Sequence, residues 1–438
     1  MANPFPAEPL SWALAHAERD GLRGEEALVR ALELVVSEGG PSGQNLVGMV
    51  QEAVAVARRS FEIPEQDRIR ARKLVAKLEP LNPQARLAKI ALSRGHYRGV
   101  AIGEALLEHS WMALPANGQE SGSWAICAIK VIHCSDSIEP RSVAHHFAVL
   151  ARAWALAANS ARIACDLRKA EKLMEQAILT VEMQGVYDLA TRAEVLELAA
   201  VLQRARRHYD EAANNLRWTA AVWEILSRDF ERARTLVTLA TTLQAGGEVD
   251  AALDVVREAL NITSEVDRPR LALALHHMEA LYLVELGRLK AAEKAVSQTR
   301  RLAEPFTDQF TQLRVSWLDG RLARAQGLQE RAVGKLEAAQ AGFLALNNPY
   351  DSALVSIDLA TLHLEAGRYQ EAAELATAMA ATFDALGVQR EAWAACRLFA
   401  DACERQRASV ALAKNLARYL DQARQDPEYG FPASAVVG

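Results

Sequence analysis

Alanine residues recur at a nearly constant spacing through the middle of this chain. The first interval, from Ala170 to Ala212, is 42 residues, and each later interval is 40. The full series is Ala170, Ala212, Ala252, Ala292, Ala332 and Ala372. Small residues keep the same step at Ala158, Ala200, Ala240, Ala280, Gly320 and Ala360, and glycine keeps it at Gly247, Gly287, Gly327 and Gly367. A phase held over about two hundred residues indicates a repeat protein.

One unit, residues 270–298, shows what each copy is expected to form. An apolar stretch at helical spacing, RLALALHHMEALYLVEL, precedes Gly287, and RLKAAEKAVSQ follows it. The first stretch is typical of an amphipathic helix, and a residue without a Cβ atom can close that helix in the left-handed conformation. Ala280 and Ala292 then lie across a tight helical hairpin, where large side chains would force the helices apart.

These copies resemble the tetratricopeptide repeat over about residues 140–386. In that pattern a bulky and a small residue mark the first helix (helix A), glycine precedes the turn, and alanine comes early in the second helix (helix B). LVELGRLKAAEKAV and LHLEAGRYQEAAELA carry it most clearly. The resemblance implies an all-α, right-handed α-solenoid of antiparallel helix hairpins. Because tetratricopeptide repeats usually have about 34 residues, a HEAT-like α-solenoid is the alternative, although the Gly-x-[LYV]-x-x-Ala turn favours the tetratricopeptide type.

Two further stretches, RLAKIALSRGHYRGVAIGEALLEHS and ARAWALAANSARIACDLRKAEKLM, resemble bacterial tetratricopeptide proteins. Several proteins of that group carry an N-terminal zinc finger, but residues 1–60 contain no cysteine here. The resemblance therefore implies a regulatory or scaffolding role and no zinc function.

The sequence divides into five predicted regions. Polar residues, glycine and serine dominate 115–123, which we expect to be a flexible loop, either a linker or an exposed site for regulated proteolysis or docking. In the N-terminal region we expect helices at about 9–20, 24–37, 43–61, 64–79, 82–94 and 96–114. The regions are a helical part with a degenerate hairpin at 1–114, the loop at 115–123, six phased repeats at 124–388, capping helices at 389–424 and a flexible tail at 425–438.

Composition and motifs argue against several classes of protein. A net charge of −5 over 438 residues gives no reason to expect nucleic-acid binding. No apolar run reaches the roughly 18 residues of a membrane span, and the N-terminus lacks the pattern of a signal peptide, so a cytoplasmic location is expected. The chain has no P-loop, dinucleotide-binding, HExxH or GxSxG motif.

Cysteine and histidine give no metal or redox pattern. The five cysteines form no C-x-x-C pair and no zinc-ligand spacing, so we expect ordinary buried thiols. The pairs His145–His146 and His276–His277 are adjacent in sequence, and neighbours on a helix diverge by about 100°. We therefore expect no metal, no cofactor and no enzymatic activity.

The tetratricopeptide resemblance implies that A helices line a concave face, and the phase of the repeat assigns the residues that point into it. Arg314, Arg321 and Arg324 surround Trp317 on one helix, beside apolar positions that include Leu281, Val284, Leu354, Ile357 and Leu364. Arginine binds carboxylates bidentately and tryptophan is a frequent anchor. The candidate partner-binding residues are Arg314, Trp317, Arg321, Arg324, His277, Leu281, Val284, Asn159, Arg162 and Arg204.

This face predicts a protein or peptide partner with acidic and hydrophobic residues. The alternative is that the apolar positions are buried by packing within the chain. The leading hypothesis is a non-enzymatic scaffold or adaptor. The other two are a peptide-responsive regulator of signalling or transcription, and a regulatory component or substrate of a bacterial proteolytic signalling or defence system.

Overall fold

A computed structural model of the chain describes residues 63–93, 95–114, 117–134, 143–164, 166–183, 189–385 and 390–423. In these ranges all regular secondary structure is helical, which confirms the all-α prediction. The helices predicted at 9–20, 24–37 and 43–61 and the tail at 425–438 lie outside the described residues. The chain forms two compact units, Met1–Thr238 (unit 1) and Leu239–Gly438 (unit 2).

The helices within the described ranges follow one another with short connections. The first nine are α1 Glu65–Val75, α2 Pro83–Leu92, α3 Val100–Ala113, α4 Gly118–His133, α5 Val143–Ile163, α6 Leu167–Met183, α7 Leu189–Ala205, α8 Tyr209–Ile225 and α9 Asp229–Gly246. The second nine are α10 Val249–Ile262, α11 Pro269–Glu285, α12 Leu289–Ala303, α13 Gln309–Ala325, α14 Gln329–Ala345, α15 Pro349–Glu365, α16 Tyr369–Ala385, α17 Arg390–Glu404 and α18 Val410–Ala423. The division between the two units falls inside α9.

The alanine series forms the buried contact between the helices of the hairpins. Each of its members is fully buried, namely Ala170, Ala212, Ala252, Ala292, Ala332 and Ala372. Gly287 has φ +69 and ends α11 in the left-handed conformation, as predicted. Arg207 stands at the same place in an earlier repeat and adopts φ +64, so this turn forms there without glycine. The small residues therefore set the helix separation, and the fold is an array of antiparallel hairpins.

In unit 1, the predicted flexible loop at 115–123 is wrong from Gly118 onward, because those residues open α4. The Asn117 side chain caps this helix by accepting a hydrogen bond, 3.1 Å long, from the backbone N–H three residues on. Glycine and serine serve close packing here, since a Cβ atom at Gly122 would lie 2.0 Å from Ser160 Oγ on α5. The small polar residues of this segment therefore indicate a close contact between two helices and not a flexible loop.

In unit 2, three hairpins pair α11 with α12, α13 with α14, and α15 with α16. The last two helices end the array differently. Helix α17 packs along α16, a B helix, and α18 packs along α15, an A helix. Phe399 of α17 and Leu416 of α18 are buried in the core that these four helices share. The departure from the regular hairpin order is that the last helix, α18, packs along the A helix α15.

Candidate functional site

The predicted partner site lies mainly on two A helices of unit 2. We call Arg314, Trp317, Arg321 and Arg324 of α13 the Arg–Trp cluster. His277, Leu281 and Val284 are on the preceding A helix, α11, at the same register of the repeat. All three are half-buried, as are the three arginines. The α11 and α13 residues together define the A-helix face of unit 2.

Trp317 is the centre of the Arg–Trp cluster, but it is not an exposed anchor. Its side chain is buried, with 7% exposure. The indole Nε1–H donates a hydrogen bond to Asp358 Oδ2 of α15 at 2.6 Å. The ring also meets Phe343 edge-on, with centroids 6.0 Å apart. Trp317 therefore packs in the core beside the arginines, and its burial contradicts the prediction that it anchors a partner.

Two of the three arginines already have carboxylate partners on α15. Arg321 Nε donates to Asp358 Oδ2 at 2.6 Å, and the Arg321 guanidinium lies 4.6 Å from the centroid of the Trp317 ring. Arg324 donates from Nε and Nη2 to the two carboxylate oxygens of Glu365, at 3.3 and 2.7 Å. Asp358 is thus shared by the indole and the Arg321 guanidinium, and its Oδ1 also lies 3.7 Å from Arg324 Nη1, while Glu365 forms a bidentate pair.

The arginines create a positive electrostatic potential at His277. Burial lowers the pKa of His277, and the charges of Arg314 and Arg321 lower it further, to about 3. Leu281, one helical turn further along α11, and Val284 are half-buried beside it. The surface therefore combines apolar side chains with guanidinium groups, and it disfavours any additional positive charge.

The apolar residues expected to be accessible on the next A helix, α15, are buried. Leu354, Ile357 and Leu364 of α15 have exposures of 6%, 1% and 8%. In addition, every residue from Asp351 to Leu362 is buried. The cause is the packing of α18 along α15, which the repeat pattern did not predict. These three positions are core residues, as the alternative interpretation of the sequence held.

Three predicted site residues belong to unit 1. Asn159 of α5 is buried and accepts a hydrogen bond, 3.0 Å long, from Arg162 Nε. Arg204 of α7 is half-buried. Asn159 and Arg162 thus form a hydrogen bond with each other within α5.

Asp358 and Glu365 contact residues of the candidate site, and the sequence interpretation missed them. A simple signal marks them, because Trp317–Asp358 and Arg324–Glu365 are each separated by 41 residues. Gln244 and Glu285 form a contact, 3.5 Å long, with the same separation. One residue beyond the 40-residue repeat is therefore a recurring spacing for polar contacts between consecutive A helices, although the Arg321–Asp358 contact spans 37 residues.

Unit 1 contains a second polar network on its A helices, also missed. Glu104 accepts a hydrogen bond from His145 Nε2 at 2.5 Å and lies 3.9 Å from Arg152 Nη2. Arg152 Nη1 is 3.7 Å from Glu194 of α7. Burial acts to raise the pKa of Glu104, but His145 and the nearby arginines outweigh it and hold that pKa below its usual value.

One histidine of each adjacent pair lies against a carboxylate. His145 bonds to Glu104, and His276 lies 3.4 Å from Glu265 and 3.6 Å from Glu279. Among the described residues no group of three or more metal-ligating side chains converges. Within the same ranges, no helix combines the length and apolar character that a membrane span requires.

The described cysteines are unpaired thiols: Cys127, Cys134, Cys396 and Cys403. Burial raises the pKa of Cys127 and Cys396 to about 12 and that of Cys403 to about 11. Such thiols are almost entirely protonated at neutral pH and are poor nucleophiles. These cysteines therefore pack as small apolar residues.

The fold matches solved structures, although the sequence matches no protein-family model and no curated protein. A Rap protein complexed with competence and sporulation factor is similar with a TM-score of 0.53 and 10% identity, over 75% of this chain and 93% of that one. The apo form of RapI has a TM-score of 0.48 and 15% identity, over 63% of this chain and 98% of that chain. Aspartyl phosphate phosphatase F from Bacillus subtilis has a TM-score of 0.46 and 13% identity, over 77% and 93%. The likeness to the Rap protein shows an all-α fold.

Proposed function

We propose that this chain is a non-enzymatic, cytoplasmic adaptor that binds a polypeptide on the A-helix face of unit 2. The observation that carries the proposal is that the half-buried arginines Arg314 and Arg321 of α13 and the half-buried apolar residues of α11 lie on adjacent A helices, around His277. Two guanidinium groups act there on one half-buried position, and both charges lower the pKa of the imidazole. A carboxylate of a partner is the group that this potential attracts.

The shape of the face supports a partner that also has apolar side chains. Leu281 and Val284 are half-buried next to His277 and follow it along one helix at helical spacing. A helix or extended segment that carries an acidic residue and an aliphatic residue in successive turns would cover both features. Because α18 packs along α15 and covers its face, the proposed surface ends at α13.

A photo-reactive amino acid placed at Leu281 tests this proposal. In cells, a polypeptide should become cross-linked at Leu281 and not at Glu337, an exposed position on the B helix α14. The substitution Arg314→Glu should abolish the cross-link, because it reverses a charge next to His277. Trp317→Ala is a poor probe, since Trp317 is a core residue. The same polypeptide captured equally from both positions would contradict the proposal.

A peptide-responsive regulator is the second candidate. It is supported by the likeness in fold to the Rap protein that was solved with competence and sporulation factor bound. A regulator should change its internal packing when the partner binds. Hydrogen exchange would then slow in α15 and α18 as well as in α11, whereas a passive adaptor would show protection at α11 and α13 alone.

The third hypothesis, a component or substrate of a proteolytic system, depended on an exposed loop at 115–123. Residues 118–123 are the start of α4, and Ser121 and Gly122 are buried there. A protease needs an extended segment, so this part of the chain gives the hypothesis no support.

A further inference from the structure

A second surface of unit 1 lies on the B helix α6 and includes one residue of the A helix α7. A cleft of about 270 Å³ is lined by Glu171, Met174, Glu175, Ile178, Leu179 and Leu202. We call it the α6 cleft. Met174 and Leu202 form its buried floor, while Leu179 is 39% exposed.

The exposed leucine of this cleft departs from the pattern of the repeat. The register of the alanine series identifies the residues that correspond to Leu179 in the five later copies. They are Ala221, Asn261, Arg301, Ala341 and Ala381. Each of these is small or polar, as expected for a solvent-facing position of a B helix. A large apolar side chain at this register is specific to α6, so repeat packing does not explain it.

Two carboxylates flank the apolar part of the cleft. Glu175 and Glu182 are exposed and lie seven residues apart, on the same side of α6. Neither carboxylate has an ion pair or hydrogen bond within the parts of the chain that the structure describes. Glu171, one turn before Glu175, does have a partner: its Oε1 is 2.6 Å from Arg206 Nη1. The chain itself thus shows that a guanidinium can bind at this rim.

We propose that the α6 cleft binds a basic amphipathic segment of another protein. An aliphatic or aromatic side chain of that segment packs against Ile178 and Leu179. Lysine or arginine residues one or two helical turns away pair with Glu175 and Glu182. This cleft belongs to unit 1, whereas the proposed A-helix site belongs to unit 2.

The proposal is tested on the full chain with two short labelled peptides. One is a helical peptide with leucine on one face and lysine on the other, and its match carries glutamate at every lysine position. Fluorescence anisotropy should show that the lysine peptide binds about tenfold more tightly than the glutamate peptide, a difference of about 1.4 kcal/mol. The variant Glu175→Lys/Glu182→Lys should abolish that preference, and Leu179→Ala should weaken binding of the lysine peptide.

The repeat provides a matched control for non-specific attraction of a basic peptide. Glu337 of α14 is exposed and occupies the register of Glu175, so Glu337→Lys should leave binding unchanged. Equal affinity for both peptides, or equal loss of binding in Glu337→Lys and Glu175→Lys, would overturn the proposal. Concentration-dependent dimerisation that Leu179→Ala removes would also overturn it, because a second copy of the chain would then be the occupant.

Discussion

Asp358 holds the Arg–Trp cluster together, and its removal should be costly. Its carboxylate accepts from both the Trp317 indole and the Arg321 guanidinium, at 2.6 Å each. Asp358→Asn keeps an oxygen for the indole but removes the charge opposite Arg321. Because a hydrogen bond to a charged group contributes about 1.5–3 kcal/mol, we expect the free energy of unfolding to fall by that amount. Asp358→Ala also leaves the buried indole N–H without its acceptor, which raises the expected loss to about 3–5 kcal/mol.

Glu365 provides the control for this prediction. It pairs with Arg324 at 2.7 Å, but its side chain is 39% exposed, against 13% for Asp358. Because solvent screens such a pair, Glu365→Gln should lower the free energy of unfolding by at most about 1 kcal/mol. Urea unfolding followed by circular dichroism measures all three variants. Equal losses for Glu365→Gln and Asp358→Ala would refute the reasoning from burial.

Three further predictions concern packing and titration. Gly122→Ala should destabilise unit 1 by about 1–3 kcal/mol because its Cβ would meet Ser160. Gly334 has open space around the position of a Cβ atom, so Gly334→Ala should stabilise α14 by about 0.5–1 kcal/mol in the same urea assay. The Cys396 thiol, with its pKa raised to about 12, should react with a thiol reagent only after unfolding. Between about pH 6.5 and pH 3 the unfolded chain protonates His277 while the folded chain does not. The free energy of unfolding should therefore decrease as the pH is lowered through that range, and it should decrease less in His277→Asn.

The hairpins could be predicted because their determinants are local and repeated. Alanine occupies the position of Ala292 in all six copies, and glycine occupies that of Gly287 in the last four, so the same helix contact recurs along the array. The error at Gly118 and Gly122 has a different origin. Glycine in a flexible loop and glycine at a tight helix contact look alike in one sequence, since only the neighbouring helix shows which of the two applies.

The candidate site was predicted in part for a similar reason. The phase of the repeat correctly grouped Arg321 and Trp317 on one helix. It did not show that Asp358 pairs with Arg321 and accepts a hydrogen bond from Trp317. Predicting those contacts requires knowing how two consecutive A helices are shifted relative to each other. The burial of Leu354 depends on α18, which follows it by more than fifty residues and lies outside the repeat pattern.

The packing of the last helix, α18, along α15 limits where further repeats can be added to the array. A further hairpin added after α16 would need its A helix to lie beside α15, and α18 already occupies that position. Copies of the 40-residue unit inserted between α12 and α13 would instead meet the same neighbours on both sides. Duplication during evolution, or lengthening by design, should therefore succeed within the array and fail at its C-terminal end.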